Sequence, residues 1–125
     1  DCDVIQADGG TRCASITGSF IALMLAMKKL KKNKLIDQIP IRDYVAAISV
    51  GIIHGKNLLD LDYSEDSEAD VDLNIIKTGG GGFVEIQGTA EREPFTDKQM
   101  KTMLALADKG IKQLVAIQKQ TVGKL

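Results

Sequence analysis

The sequence predicts an α/β fold in which the elements follow the order β-α-β-β-β-β-α. Two observations carry this prediction. Apolar and polar residues alternate on both sides of a run of four glycines at residues 79–82, which is typical of a β-hairpin. Apolar residues then recur at helical spacing through residues 100–115, which indicates an amphipathic helix that packs on a sheet.

The first third of the chain predicts a strand, a turn and a helix. Residues 1–7 are strand-like, and the glycine-containing segment after them indicates a turn. We expect a helix from Ser15 to about Lys32, with Ser15 or Thr17 as its cap, because a hydroxyl can accept hydrogen bonds from free backbone N–H groups. Residues 20–27 are apolar nearly all round, so this helix should be central and buried.

The middle of the chain predicts two pairs of strands. Residues 44–53 are rich in β-branched side chains and indicate a buried strand. A turn at residues 54–55 and a returning strand at residues 58–61 complete the first pair. Residues 70–78 and 83–87 form the second pair around the glycine run.

The last helix has a complete start signal. Thr96 and Gln99 have the spacing of a capping box, in which each side chain accepts a hydrogen bond from the other residue's backbone N–H. Phe95 and Met100 have the spacing of a hydrophobic staple. We therefore expect this helix to begin directly after Thr96.

Composition excludes several classes of protein. Apolar residues make up 44% and charged residues 26%, so a disordered chain is not expected. The 16 Lys and Arg oppose 17 Asp and Glu, so nucleic-acid binding would need local clusters of charge. The longest run without a charge, glycine or proline is too short to cross a bilayer, so we expect no transmembrane helix and no membrane partner. Cys2 and Cys13 make no disulfide framework and fit a reduced, cytoplasmic setting.

The turn that contains Gly10, Thr11 and Arg12 is the first candidate site. A glycine turn that leads into a helix exposes free N–H groups at the positive end of the dipole, which favours an anion. Arg12 adds a planar, two-pronged grip suited to phosphate. A surface turn with a solvated arginine has the same sequence, so both interpretations stay open. Cys13 follows Arg12, but no base is paired with it, so we do not expect a nucleophile.

An acidic stretch from Asp60 to Asp72 is the second candidate site. It holds seven carboxylates in thirteen residues, with no cation among them. Such a cluster suits Mg²⁺, or a carboxyl group kept protonated for acid catalysis. A solvated acidic loop is the alternative. The lysines of residues 28–34 leave a similar choice between contacts with RNA phosphates and a solubilising helix end.

Three motifs, in this order along the chain, resemble the signature of the ribonuclease PH family. The first comprises residues 3–12 and 14–18, the second residues 59–63, 65–66 and 71–72, and the third residues 78–79 and 83–91. The resemblance covers nearly the whole chain but only the second half of the family's sequence, so we expect a missing half before Asp1. It implies the family's α+β sandwich, with residues 1–38 as the end of its first domain and residues 39–125 as its second.

The resemblance also implies an activity. Members of the family are phosphorolytic 3′→5′ exoribonucleases, or tRNA nucleotidyltransferases, that trim the 3′ ends of tRNA precursors and other RNAs. They use inorganic phosphate to release nucleoside diphosphates, and the reaction can run in reverse. The implied assembly is a ring-shaped homohexamer, a trimer of dimers, in which a chain of near-zero charge could bind tRNA on cationic surface shared between subunits.

Residue by residue, the resemblance implies two groups in the site. Gly10, Thr11 and Arg12 would hold the attacking phosphate, and Asp66 and Asp72 would be the paired catalytic carboxylates. The pair could bind Mg²⁺, or Asp72 could stay protonated and donate to the leaving 3′ oxygen. The family's other phosphate-binding arginine belongs to the missing half, so this chain would carry only part of the site.

Two other classes resemble the chain less well. Polynucleotide phosphorylase and the catalytic subunit of an archaeal exosome are close enzymes, but polynucleotide phosphorylase usually has a lysine where this chain has Asn74. A non-catalytic ring subunit that binds RNA would tend to lose the phosphate arginine or the carboxylate pair. This chain keeps Arg12, Asp66 and Asp72. Within the family pattern, Cys13 stands where a threonine or a small residue is expected.

Overall fold

The computed structural model describes all 125 residues of the chain. Its elements are α1 (Thr11–Lys32), β1 (Val45–Ile53), β2 (Lys56–Leu59), α2 (Tyr63–Glu68), β3 (Val71–Thr78), β4 (Phe83–Ala90) and α3 (Asp97–Val122). The predicted α/β class is confirmed, but the order of elements is α-β-β-α-β-β-α. The difference lies in a first strand that is absent and in a short helix within the acidic stretch.

The four strands form one antiparallel sheet in the order β2-β1-β3-β4. Side chains alternate between the two faces of a strand, so Leu73 and Ile75 face one way while Asp72 and Asn74 face the other. Leu73 and Ile75 lie in the main core together with Met103 and other buried residues of α3. The face that carries Asp72 and Asn74 is therefore opposite to α3.

Local signals account for the elements that the sequence predicts well. The Thr96 hydroxyl accepts a hydrogen bond from the Gln99 backbone N–H, and the Gln99 side chain accepts one from the Thr96 backbone N–H, so the predicted capping box is confirmed. His54 and Gly55 both have positive φ, as a two-residue hairpin turn requires. That tight turn starts pairing at Lys56, so the returning strand begins two residues before the predicted Leu58.

Helix α1 differs from its prediction in start and in burial. It begins at Thr11, four residues before Ser15, and its N-cap is Gly10 with φ 69°, without a side-chain cap. Thr17, a predicted cap, instead exchanges hydrogen bonds between its hydroxyl and the backbone of Ala47. The sequence predicts a central and buried helix. The structure buries only Cys13, Phe20 and Met24, because α1 packs on β1 and α3 with one side.

Helix α1 differs from the prediction that no helix could cross a membrane. Its 22 residues are long and apolar enough to cross a membrane on those two criteria alone. Gly18 interrupts the apolar run in the sequence, but it does not interrupt the helix. A core helix of a soluble protein has the same composition, and α1 contributes Phe20 and Met24 to the core that it shares with α3.

Residues 1–7 do not form the predicted strand. They are exposed, and they pair with none of the four strands of the sheet. Unpaired backbone groups gain nothing from the extended conformation, so the β-like composition of the segment is not sufficient. The boundary predicted between residues 1–38 and 39–125 stays a prediction.

Candidate active site

A small polar cavity of about 160 Å³ lies where the N-terminus of α1 meets β1, α2 and β3. The five residues predicted for the site all line it, namely Gly10, Thr11, Arg12, Asp66 and Asp72. Ser49 and Asn74 complete the lining, and no hydrophobic residue takes part. The fold therefore brings the phosphate-binding candidates and the carboxylate candidates to one place, while their roles stay predictions.

A close backbone contact joins the glycine turn to the acidic stretch. A Cβ atom at Gly9 would lie 2.1 Å from the Leu61 carbonyl oxygen, so only glycine allows the two segments to approach this closely. Asp8 reinforces the contact, because its Oδ1 accepts hydrogen bonds from the backbone N–H groups of Gly9 at 2.8 Å and Tyr63 at 2.7 Å. The first turn of α2 is thereby fixed beside the first turn of α1.

The acidic stretch is mostly exposed, but part of it forms the short helix α2 and makes local contacts. Asp62 is the N-cap of α2, with Glu65 as its partner in a capping box. Hydrogen bonds from the Glu65 backbone N–H and the Ser64 hydroxyl hold the pKa of Asp62 below its ordinary value. Glu68 lies 3.4 Å from His54, and Asp70 lies 3.3 Å from Arg92. Of the seven carboxylates, Asp62 and Glu65 form the cap of α2, Glu68 and Asp70 make surface ion pairs, and Asp66 and Asp72 line the cavity.

Arg12 is held from the side of β4. One guanidinium nitrogen donates to Glu85 Oε2 at 2.9 Å, and the other terminal nitrogen donates to Gln87 Oε1 at 3.2 Å. The hydrogen bond to Glu85 raises the pKa of Arg12 further above its ordinary value, so the guanidinium stays charged. The side chain is 48% exposed, which leaves part of this cation accessible at the cavity.

Asp72 is half-buried and has one oxygen without a partner. Its Oδ2 accepts a hydrogen bond from Asn74 Nδ2 at 3.2 Å, whereas its Oδ1 is buried and makes no hydrogen bond. Burial is the main cause that raises the pKa of Asp72, and the negative charges of Asp66 and Glu91 add to the effect. Such a carboxyl group holds its proton to higher pH than an exposed aspartate does.

Cys13 packs beneath the site as a neutral thiol. It is buried against Ala47 and Ile76, and its Sγ donates to Asn74 Oδ1 at 2.9 Å. Burial raises the pKa of the Cys13 thiol to about 11, which outweighs the opposite effect of the neighbouring Arg12. A thiol with this pKa is a poor nucleophile, as the sequence suggested.

The carboxylates suit a hard cation that keeps most of its water ligands. No group of three or more His, Cys, Asp or Glu side chains comes together anywhere in the chain in a way that could hold a metal ion. Mg²⁺ usually binds one or two carboxylates together with water and substrate phosphates, and the free Oδ1 of Asp72 is an oxygen donor of the required kind. Binding of such an ion by Asp66 and Asp72 stays a prediction.

The sequence analysis missed Ser49 and the structural role of Asn74. Ser49 Oγ accepts a hydrogen bond from the Leu61 backbone N–H at 3.1 Å, which holds the start of the acidic stretch over β1. Ser49 lies opposite Asn74 across the β1–β3 pair, and that register is set by tertiary contacts. The signal for Asn74 was readable, because a residue two places after Asp72 on a strand shares its face.

Comparison with known proteins identifies the family. A sequence profile described as the 3′ exoribonuclease family, domain 2, matches residues 43–110, which is more than half of the chain. The chain belongs to this 3′ exoribonuclease family. The resemblance to the ribonuclease PH family, inferred above from three motifs, is confirmed, since curated relatives of high identity carry the name "Ribonuclease PH".

Two curated relatives are about twice as long as this chain. The "Ribonuclease PH" of Syntrophomonas wolfei subsp. wolfei is 59% identical over 123 residues, which is 98% of this chain and 52% of the relative. That of Solibacter usitatus is 57% identical over 122 residues, which is 98% of this chain and 51% of the relative. The chain thus spans about half the length of the curated relatives it matches.

A solved structure supports the fold of this 3′ exoribonuclease family member. The crystal structure of Rrp46 from rice (Oryza sativa) superposes with a TM-score of 0.76 over 96% of this chain and 51% of the rice chain. The two sequences are 15% identical, so the likeness concerns the fold alone.

We predict that Gly9→Ala opens the contact between the glycine turn and the acidic stretch. The new Cβ would overlap the backbone at Leu61, which cannot move as a side chain can. The variant should lose about 1–3 kcal/mol of unfolding free energy, as strained small-to-large changes do, measured by urea titration. Gly18→Ala is the matched control, because nothing lies within 4 Å of its added Cβ. The control should stabilise α1 by roughly 0.5–1 kcal/mol, and equal behaviour of the two variants would refute the argument.

We also predict that Asp72→Asn stabilises the protein at neutral pH. A carboxyl group whose folded pKa is raised contributes stability below its unfolded pKa, near 4, and that contribution is lost as pH rises through the folded pKa. The gain from asparagine should therefore be larger at pH 7 than at pH 3.5, as measured by urea unfolding at both values. Asp37→Asn, which removes an exposed carboxylate, is the control. A gain of the same size at both pH values would contradict the prediction.

Proposed function

We propose that the full-length protein is a phosphorolytic 3′→5′ exoribonuclease that trims the 3′ ends of tRNA precursors and other RNAs. In this proposal, inorganic phosphate attacks the terminal phosphodiester and releases a nucleoside diphosphate, and the reverse reaction adds nucleotides. The observation that carries the proposal is the single polar cavity with Arg12 on one side and Asp66 and Asp72 on another. Membership in the 3′ exoribonuclease family supports it.

The glycine turn and the first turn of α1 suit the attacking phosphate. Gly10 has φ 69°, a conformation that glycine adopts without strain and that leads directly into the helix. Free N–H groups at this end of α1, the Thr11 hydroxyl and the Arg12 guanidinium can together bind phosphate oxygens. A bound phosphate and the scissile phosphate are both anions, so this positive environment offsets their repulsion and aligns the nucleophile.

Asp66 and Asp72 are the residues proposed to act on the leaving 3′ oxygen. Two roles are open to Asp72 in this proposal. Its raised pKa favours the protonated form, which could donate to the leaving 3′ oxygen. Mg²⁺ held by Asp66 and Asp72 would supply positive charge that stabilises the charge developing in the transition state. The Oδ1 atom of Asp72 makes no hydrogen bond within the protein, so this oxygen has the capacity for a further partner in either role.

The remaining features of the proposal concern the whole protein. We propose a cytoplasmic enzyme that assembles as a homohexamer, a trimer of dimers, with residues 1–38 and 39–125 belonging to successive domains. A net charge of −1 gives the chain no overall attraction for RNA, so in this proposal the RNA binds local cationic surface shared between subunits. Light scattering of the full-length protein would measure the mass of the assembly, and a monomer would reject this part.

The central experiment distinguishes phosphorolysis from hydrolysis. The full-length protein is incubated with a 3′-extended tRNA, Mg²⁺ and inorganic phosphate. Nucleoside diphosphates are the expected products, and nucleoside monophosphates would indicate attack by water instead. Asp72→Asn should lower kcat by about 10²–10⁴-fold, the usual contribution of a general acid, while RNA binding and assembly are retained. Asp37→Asn is the matched control, and substantial turnover by Asp72→Asn would remove Asp72 from the mechanism.

Arg12→Ala should chiefly weaken the use of phosphate. Loss of a charged hydrogen-bond donor costs about 1.5–3 kcal/mol, which corresponds to roughly a 10–100-fold rise in the KM for phosphate. Arg12→Lys keeps the charge but loses the planar fork, so its KM should lie between those of Arg12→Ala and the wild type. A dependence of rate on phosphate that is the same in all three proteins would reject the assignment.

A further inference from the structure

We infer that Asn74 is a positioning residue that fixes the orientation of the Asp72 carboxylate, and that the Cys13 thiol in turn fixes the Asn74 amide. The inference rests on the proposed function for its catalytic consequence. Neither residue was among the site residues expected from the sequence. Two hydrogen bonds connect Cys13 on α1 to Asn74 on β3, and Asn74 to Asp72.

The two hydrogen bonds determine which way the Asn74 amide faces. Cys13 Sγ lies 2.9 Å from Asn74 Oδ1, and Asn74 Nδ2 lies 3.2 Å from Asp72 Oδ2. A thiol donates to the amide oxygen, and the amide nitrogen donates to the carboxylate oxygen. The reversed amide would place two oxygens face to face beside Asp72. The thiol and the carboxylate therefore favour the same orientation.

The held amide leaves the Asp72 carboxylate with unequal oxygens. Oδ2 is occupied by Asn74, whereas Oδ1 is buried and makes no hydrogen bond. Asp72 and Asn74 both line the polar cavity. A buried carboxylate oxygen is costly to leave unpaired, so a side chain held with its Oδ1 unpaired suits an oxygen that takes a ligand or a substrate.

The location of Cys13 connects the two groups of the site. Cys13 directly follows Arg12 in the first turn of α1, and Asn74 follows Asp72 by two positions on the same face of β3. Cys13 is also anchored by burial against Ala47 and Ile76, so its thiol has little freedom to leave Asn74. The chain of hydrogen bonds thus joins the turn proposed for phosphate to the carboxylate proposed for the leaving group.

The test uses variants that remove each hydrogen bond with little change of volume. Asn74→Leu in the full-length protein removes both bonds and should lower kcat for phosphorolysis at least 10-fold, with the KM for phosphate changed less than 2-fold. Cys13→Ala should lower kcat about 3–10-fold. Cys13→Ser keeps a donor and should restore most of the activity lost in Cys13→Ala. A merely structural role of the thiol predicts no such rescue.

The double variant isolates the pathway. If Cys13 acts through Asn74, then Cys13→Ala should lower kcat no further on the Asn74→Leu background. If the two residues act independently, the fold losses in kcat of the single variants should multiply. Melting temperatures of the wild type, the two single variants and the double variant identify any protein that is impaired by misfolding. A double variant whose loss of kcat is the product of the two single losses, or an Asn74→Leu enzyme with the kcat of the wild type, would overturn the inference.

A crystal structure provides a readout that does not depend on turnover. We expect the Asp72 side chain of Asn74→Leu to adopt a different or a mixed rotamer, while Arg12 keeps its bonds to Glu85 and Gln87. An unchanged Asp72 rotamer would reject the positioning role, even if the protein shows no phosphorolysis. Absence of nucleoside diphosphate formation by the wild type would instead reject the proposed function.

Discussion

Strand β3 has to satisfy two environments at once. Its alternate residues Leu73 and Ile75 must face α3, because they belong to the apolar core that this helix closes. The two-residue period of a strand then directs Asp72 and Asn74 to the opposite face, where the first turn of α1 arrives. The polar cavity follows from this division, since it lies on the sheet face that the core does not use.

The close packing of two loops completes what the sheet begins. Gly9 allows the backbone of the glycine turn to touch Leu61, and Ser49 holds Leu61 over β1 through its hydroxyl. Through these contacts a cation next to a helix N-terminus and two carboxylates from separate elements come to share one cavity. The half-buried Asp72 opposes folding when ionised, which is a cost that functional sites commonly carry.

Local chemistry made part of this structure predictable. The hairpin around the glycine run and the start of α3 follow from turn glycines and a capping box, which act over a few residues. The start of α1 was not predictable from hydroxyl caps, because Gly10 caps it with backbone alone. Helix α2 was missed although Asp62 and Glu65 have capping-box spacing, since the density of charge suggested a loop.

Some residues of the candidate site were predictable from the sequence, and others were not. Gly10, Thr11, Arg12 and the two aspartates were found because family motifs mark them, and the structure brings them together. Ser49 and the anchors of Arg12 on β4 depend on strand register, which a single sequence does not reveal. Residue type alone also misjudged residues 1–7, which have a β-like composition but pair with none of the four strands of the sheet.

The burial of Cys13 has a consequence for oxidative chemistry. Peroxide and alkylating reagents attack the thiolate, and burial raises the pKa of the Cys13 thiol to about 11, so the thiol stays protonated at neutral pH. The only sulfur near the cavity is thereby shielded from both reagents, although it adjoins an arginine that would otherwise activate it. Cys2, which is exposed, would be modified first. The protein can therefore carry a cysteine beneath its site without making that site sensitive to oxidants.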